Sequence, residues 1–114
     1  MNVPARLLAT LVLALATFGC STTTLKVGRN FDLDTVAAKL QRGTTTESEV
    51  RAWLGSPTGT GVSVEQNGET LTQWTYFYGE GDLSGLTDTA IKTLQIKFDR
   101  QGIAQSFNWS NTRR

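Results

Sequence analysis

The feature that most limits what this chain can become is a change in the spacing of apolar residues at Gly55-Ser56-Pro57. Before it, Leu33, Val36, Ala37 and Leu40 recur at i, i+3, i+4 and i+7, which puts them on one stripe of an α-helix. From Gly59 onward the period is two. Val62 and Val64 alternate with polar residues, as do Trp74, Tyr76 and Tyr78, and then Leu94, Ile96 and Phe98. Helices grouped ahead of strands argue for an α+β domain whose helices cover one face of an antiparallel sheet.

The punctuation agrees with this division. The first helix is expected after Phe31, with Asp32 and Asp34 in the first turn and Lys39 and Arg42 in the last, where each sign suits the helix dipole. Gly43 is its stop. Thr46-Glu47-Ser48-Glu49 is a capping box that opens a second helix. Its apolar face is Val50, Trp53 and Leu54, and Gly55 with Pro57 ends it. A helix of about two turns depends on packing, because propensity alone does not hold so short a segment.

Asn67-Gly68 signals a two-residue hairpin into a strand from Leu71 to Tyr78. A glycine-rich stretch over 79–88 is expected to be mobile, and Ile91 to Phe98 is the next strand. Asp99-Arg100-Gln101-Gly102 makes a turn, and Ile103 to Trp109 closes the sheet. The expectation is two short N-terminal helices packed on a three- to four-stranded antiparallel β-meander over residues 31–110, with a polar tail at 111–114.

The first 19 residues read differently. Arg6 and the free amine form a weakly basic start, and Leu7 to Phe18 is apolar apart from Thr10 and Thr17. The run is shorter than the roughly 20 residues of a membrane-spanning helix, but it suits the apolar region of a signal peptide. It ends at Thr17-Phe18-Gly19-Cys20, followed by polar Ser21-Thr22-Thr23-Thr24. This resembles the lipobox of bacterial lipoproteins, in which a small residue precedes an obligatory cysteine. Thr17 stands where leucine is usual, and Phe18 is bulkier than usual.

An ordinary signal peptide cut nearby, or an uncleaved anchor helix, would use the same apolar run. The order of apolar region, small residue, cysteine and polar linker favours the lipoprotein. Cleavage between Gly19 and Cys20 and acylation (palmitate and similar chains) of Cys20 are therefore expected, with 1–19 as signal peptide and 20–30 as a lipidated tether. Several acyl chains hold firmly where one holds marginally. Cys20 is the one cysteine, so no intramolecular disulfide forms. Ser21 occupies the place where the inner-membrane retention signal has aspartate, which by that resemblance implies the outer membrane.

Composition narrows the chemistry. Without residues 1–19 the chain keeps 10 basic side chains against 10 acidic ones. It thus carries no electrostatic footprint for nucleic acid and no polybasic patch. Histidine, the commonest general base and metal ligand, is absent. Asp32, Asp34, Glu47, Glu49, Glu65 and Glu69 sit at helix starts or beside a turn, where structural roles are expected. A serine nucleophile would need a lysine base, and Lys26, Lys39, Lys92 and Lys97 fall in no such motif. No calcium-loop or phosphate-loop spacing occurs. The expectation is a protein that is not an enzyme and holds no cofactor or metal.

The aromatic residues are expected mostly in the core. Trp74 and Phe77 lie on opposite faces of one strand and cannot both point inward, so at least one of these two candidates is expected on a partner surface.

The run Gly43 to Pro57, G-T-T-T-E-S-E-V-R-A-W-L-G-S-P, resembles the signature of the SmpA/OmlA (BamE-like) outer-membrane lipoprotein family. That pattern is a glycine, a capping threonine, a valine four residues on, and L-G-x-P. Thr46, Val50, Leu54, Gly55 and Pro57 carry the match, and Q-W-T-Y-F-Y and L-Q-I-K-F-D-R-Q-G-I extend it across residues 33–109. One additional residue stands between Gly43 and Thr46. The partner-contacting segment that such proteins carry before the first helix is reduced to Leu25-Lys26-Val27-Gly28-Arg29-Asn30.

The resemblance implies two helices followed by strands, on an outer-membrane lipoprotein facing the periplasm. It implies a role in outer-membrane protein assembly or envelope integrity through contacts with another envelope protein, such as the barrel-assembly machinery. The alternative is a lipid-anchored binding or inhibitor module of the same fold, acting on another periplasmic protein.

Overall fold

The computed structural model describes residues 23–82 and 89–113. The element order is β1 (Thr24–Gly28), α1 (Leu33–Lys39), α2 (Glu47–Leu54), β2 (Gly59–Val64), β3 (Thr70–Asp82), β4 (Ala90–Phe98) and β5 (Ala104–Arg113). The described residues form an α+β fold with two helices on a five-stranded antiparallel sheet.

Three expectations are corrected. The sheet has five strands rather than three or four, because Thr24–Gly28, inside the expected tether of 20–30, is the strand β1. Residues Asn111 to Arg113, expected in a polar tail at 111–114, belong to β5 and pair with Ala90 to Lys92. Helix α1 ends at Lys39 with Leu40 as its C-cap, so Arg42 lies beyond its last turn. In the first two cases the backbone decides: a polar segment forms a strand when a neighbouring strand takes its N–H and C=O groups. The stretch expected to be mobile splits. Gly79 to Asp82 extend β3, whereas 83–88 lie outside the described residues.

Strands β3, β4 and β5 follow one another as a meander, and both β1 and β2 pair with the remaining edge of β3. β2 takes Thr70 to Thr75 and β1 takes Tyr78 to Asp82, so the two lie end to end along one long strand. Between them the Phe77 N–H donates to Thr58 Oγ1 at 3.0 Å, which satisfies a donor that neither edge strand reaches. The helical pair is thus an excursion between two halves of one interrupted edge.

Both hairpins use the same turn. Glu65 N–H donates to Glu69 O and Gly68 N–H to Glu65 O, and Asp99, Gly102 and Ile103 repeat the pattern. Gly68 at φ 83° and Gly102 at φ 77° supply the left-handed residue that ends each three-residue loop. The Asn67-Gly68 turn is therefore one residue longer than the two-residue hairpin expected.

Helix α2 begins as its sequence indicates. Glu49 N–H donates to Thr46 Oγ1 at 3.2 Å, and Thr46 N–H donates to Glu49 Oε1 at 3.4 Å. The loop before it is stitched to the start of β5: Gly43 N–H donates to Ala104 O, and Ala104 N–H to Thr45 O, each at 2.8 Å. Thr45 is buried there, with its hydroxyl accepting from the Gln41 N–H at 2.8 Å. The core lies between the helices and one sheet face. It joins Leu33, Val36, Leu40, Val50 and Leu54 to Trp74, Tyr76, Leu94, Ile96 and Phe98.

Candidate functional site

Gly19 and Cys20, the expected cleavage and lipid-attachment residues, lie outside the described residues. The two candidate partner-surface residues part company. Trp74 is a correction: it is only 4 % exposed and packs edge-on against Phe98 at 4.9 Å between ring centroids, so it belongs to the core. The Arg51 guanidinium caps its ring at 4.9 Å from the centroid. The helices cover this side of β3, and a buried indole there stabilises the fold through apolar area.

Phe77 lies on the opposite, open face of the sheet, where the alternation places it. There it joins Leu25 and Val27 of β1 and Ile91 of β4 along a shallow groove of about 420 Å³. The register explains the cluster: Val27 stands opposite Gly79, and Leu25 opposite Gly81. Two glycines in β3 leave the floor without side chains, and the neighbouring strands supply apolar walls. Leu25 is 52 % exposed, Val27 49 % and Ile91 37 %. Glu80 and Asp82 also line the groove, from alternate positions of the strand. The Glu80 carboxylate accepts from the Tyr78 hydroxyl at 2.6 Å, on the helix-covered side.

Sequence reading had Phe77 but missed Leu25, Val27 and Ile91. The signal was present for β1, since Leu25 and Val27 flank Lys26 at period two, but two alternating apolar residues are too few to outweigh a polar context.

Gly28, at the end of β1, approaches β3 more closely than any side chain permits. A Cβ there would run into the Phe77 carbonyl oxygen, and its φ of 79° already favours glycine. The groove is therefore set by backbone contact as well as by packing.

The polar groups do structural work. The Asp32 carboxylate caps α1 by accepting from the Thr35 hydroxyl at 2.7 Å and its N–H at 3.2 Å, which holds its pKa below the ordinary value. Glu65 accepts from Lys97 at 3.0 Å and from the Ser63 hydroxyl at 2.9 Å, and its pKa is likewise lowered. Lys92 Nζ donates to the Phe31 carbonyl at 2.9 Å and to Asn30 Oδ1 at 3.1 Å, tying the entry of α1 to the sheet. The Tyr76 hydroxyl donates to the Gly55 carbonyl at 2.8 Å, and burial pushes its pKa up to about 12. Among the described residues, no group of three carboxylates could hold a metal ion.

On the covered side, Phe107 packs against the core and stacks on Trp109 at 5.9 Å, with Trp109 48 % exposed. Fold and site together define a small α+β protein with one helix-covered sheet face and one open, apolar-grooved face. Compared with protein-family models, with curated proteins and with solved structures, the chain has no match.

Proposed function

We propose that the chain is a lipid-anchored, non-enzymatic protein of the outer membrane, facing the periplasm, that supports outer-membrane protein assembly or envelope integrity through protein contacts. The observation that carries this reading is the apolar run Leu7 to Phe18 closing on Gly19-Cys20, with the first strand of the domain starting at Thr24. A domain that begins four residues after an acylated cysteine stays at the membrane surface, where envelope partners are. The capping box at Thr46 and Glu49, the Leu54-Gly55-Ser56-Pro57 stop and the helix-then-meander order support a BamE-like membership.

The experiment is isolation of the full-length chain from bacterial membranes by affinity capture, with mass measurement of its N-terminal peptide. The expected result is a peptide that begins at acylated Cys20, with barrel-assembly components co-purifying. Recovery of one soluble periplasmic enzyme, without those components, would replace the assembly role with that of a binding or inhibitor module.

A further inference from the structure

We infer that the open face of the sheet, at its β1 end, lies directly on the lipid bilayer, with Leu25, Val27, Phe77 and Ile91 entering the boundary between headgroups and acyl chains. The inference rests on the proposed lipid at Cys20, and it adds an orientation that anchoring alone does not specify.

Three observations carry it. The first is reach. Three residues separate Cys20 from Thr24, so a fully extended connection spans about 14 Å at about 3.5 Å per residue. The groove begins at the next residue, Leu25. An anchor that short keeps this end of the domain at the bilayer and leaves the far end of β3, 13 residues long, pointing away.

The second is charge. On the open face, the alternate positions from Thr75 to Gly81 in β3 and from Ile91 to Gln95 in β4 carry no ionisable side chain. In β5 the positions facing these, Asn108, Ser110 and Thr112, are also uncharged. The charged residues of this region, Lys26, Glu80, Asp82 and Lys92, occupy the other alternate positions. Glu80 and Asp82 border the groove from those positions, so the outward-facing positions at this end of the sheet approach lipid without an ionised group of their own to desolvate. At the opposite end the same face does carry a charge, Lys97 paired with Glu65, where contact with lipid is not expected.

The third is the character of the exposed surface. Aliphatic and aromatic side chains gathered beside a lipid attachment point suit interfacial insertion, which scales with buried apolar area. A zwitterionic lipid surface fits, because the face has no basic cluster to select anionic headgroups.

The test uses the full-length chain, processed and purified from bacterial membranes, in phosphatidylethanolamine/phosphatidylcholine vesicles. With Cys20 acylated, a new cysteine takes an environment-sensitive dye alone. Ile91→Cys and Leu25→Cys place the dye at the groove, and Val64→Cys, 72 % exposed at the far end of β2, is the comparison site. The expected result is that lipids carrying a quencher in the acyl chain quench both groove probes at least threefold more than the probe at position 64, while aqueous iodide does the reverse. Groove probes that iodide quenches as readily as position 64, on a chain whose mass shows the acyl groups, would overturn the orientation alone. Groove probes shielded from both quenchers would also overturn it, by showing a protein cover. A chain lacking the acyl mass would overturn the anchor and the orientation with it.

Discussion

Single residues set the tightest constraints. Gly28 joins a positive φ to a contact with the Phe77 carbonyl that leaves no room for a Cβ. Gly28→Ala is expected to lower stability by about 2 kcal/mol through backbone strain and displacement of β1, read as a lower denaturant midpoint. Tyr76 and Tyr78 are the two tyrosines of the chain. Burial raises the pKa of Tyr76 to about 12. The hydrogen bond to Glu80, then burial, raises that of Tyr78. In the native protein, ultraviolet absorbance at 295 nm should therefore show less phenolate at the ordinary tyrosine pKa of 10.0 than the unfolded chain does. The sign for stability follows. Groups with raised folded pKa values contribute fully below the unfolded value and lose that contribution as pH rises through 10 toward 12. Alkaline melting temperatures should fall over that window, less steeply in Tyr76→Phe.

The helices and strands show how short elements persist. Helix α2 has eight residues, a length that is marginal in isolation. It is held by the box at Thr46 and by Val50 and Leu54 in the core. Thr46→Ala should cost about 1 kcal/mol, seen as a lower melting temperature with the sheet signal otherwise intact. Helix α1, with seven residues, leans on Asp32 and on the Lys92 contacts to its entry. The Thr35 hydroxyl, then the Thr35 N–H, lowers the Asp32 pKa, so the cap contributes fully above the ordinary value of 3.8 and is lost as pH falls through the lowered one. Glu65 behaves alike below 4.5, through Lys97 first and Ser63 second. Acidification below about pH 4 should lower the melting temperature, and Asp32→Asn with Glu65→Gln should flatten that dependence.

For the molecule as a whole, the consequence of the fold is a division between two sheet faces. Helices cover one, and the other is open beside β1. On the proposed reading, the lipid at Cys20 decides which of these two faces meets the membrane. Cys20→Ala should move the chain out of the outer-membrane fraction, as followed by immunoblot of separated membranes. A chain that stayed acylated and membrane-bound would show that the lipid is elsewhere.

Much of this was legible from residues alone, where the information is local. The capping box needs only Thr46 and Glu49 three positions apart, and the alternation in β3 and β4 needs only the pleat. The class, α+β with helices on a meander, follows from the order of those periods. Which alternating residues are covered was not local. Trp74 is buried while Val62, across from Thr72 on the same face, is 70 % exposed. Two helices of about 12 Å or less cannot roof a strand of about 43 Å.

Nor was β1 legible. Thr24–Gly28 alternates over only five residues and becomes a strand because β3 is long enough to offer a second stretch of free edge beyond β2. That pairing brings Leu25 and Val27 to Phe77 and Ile91. Sequence by itself therefore determined the two helices, the four later strands, their order and the capping box of α2, because neighbours in the chain decide those. Tertiary structure alone decided which face is open and where its apolar groove lies, since both depend on residues some fifty positions apart meeting across an edge.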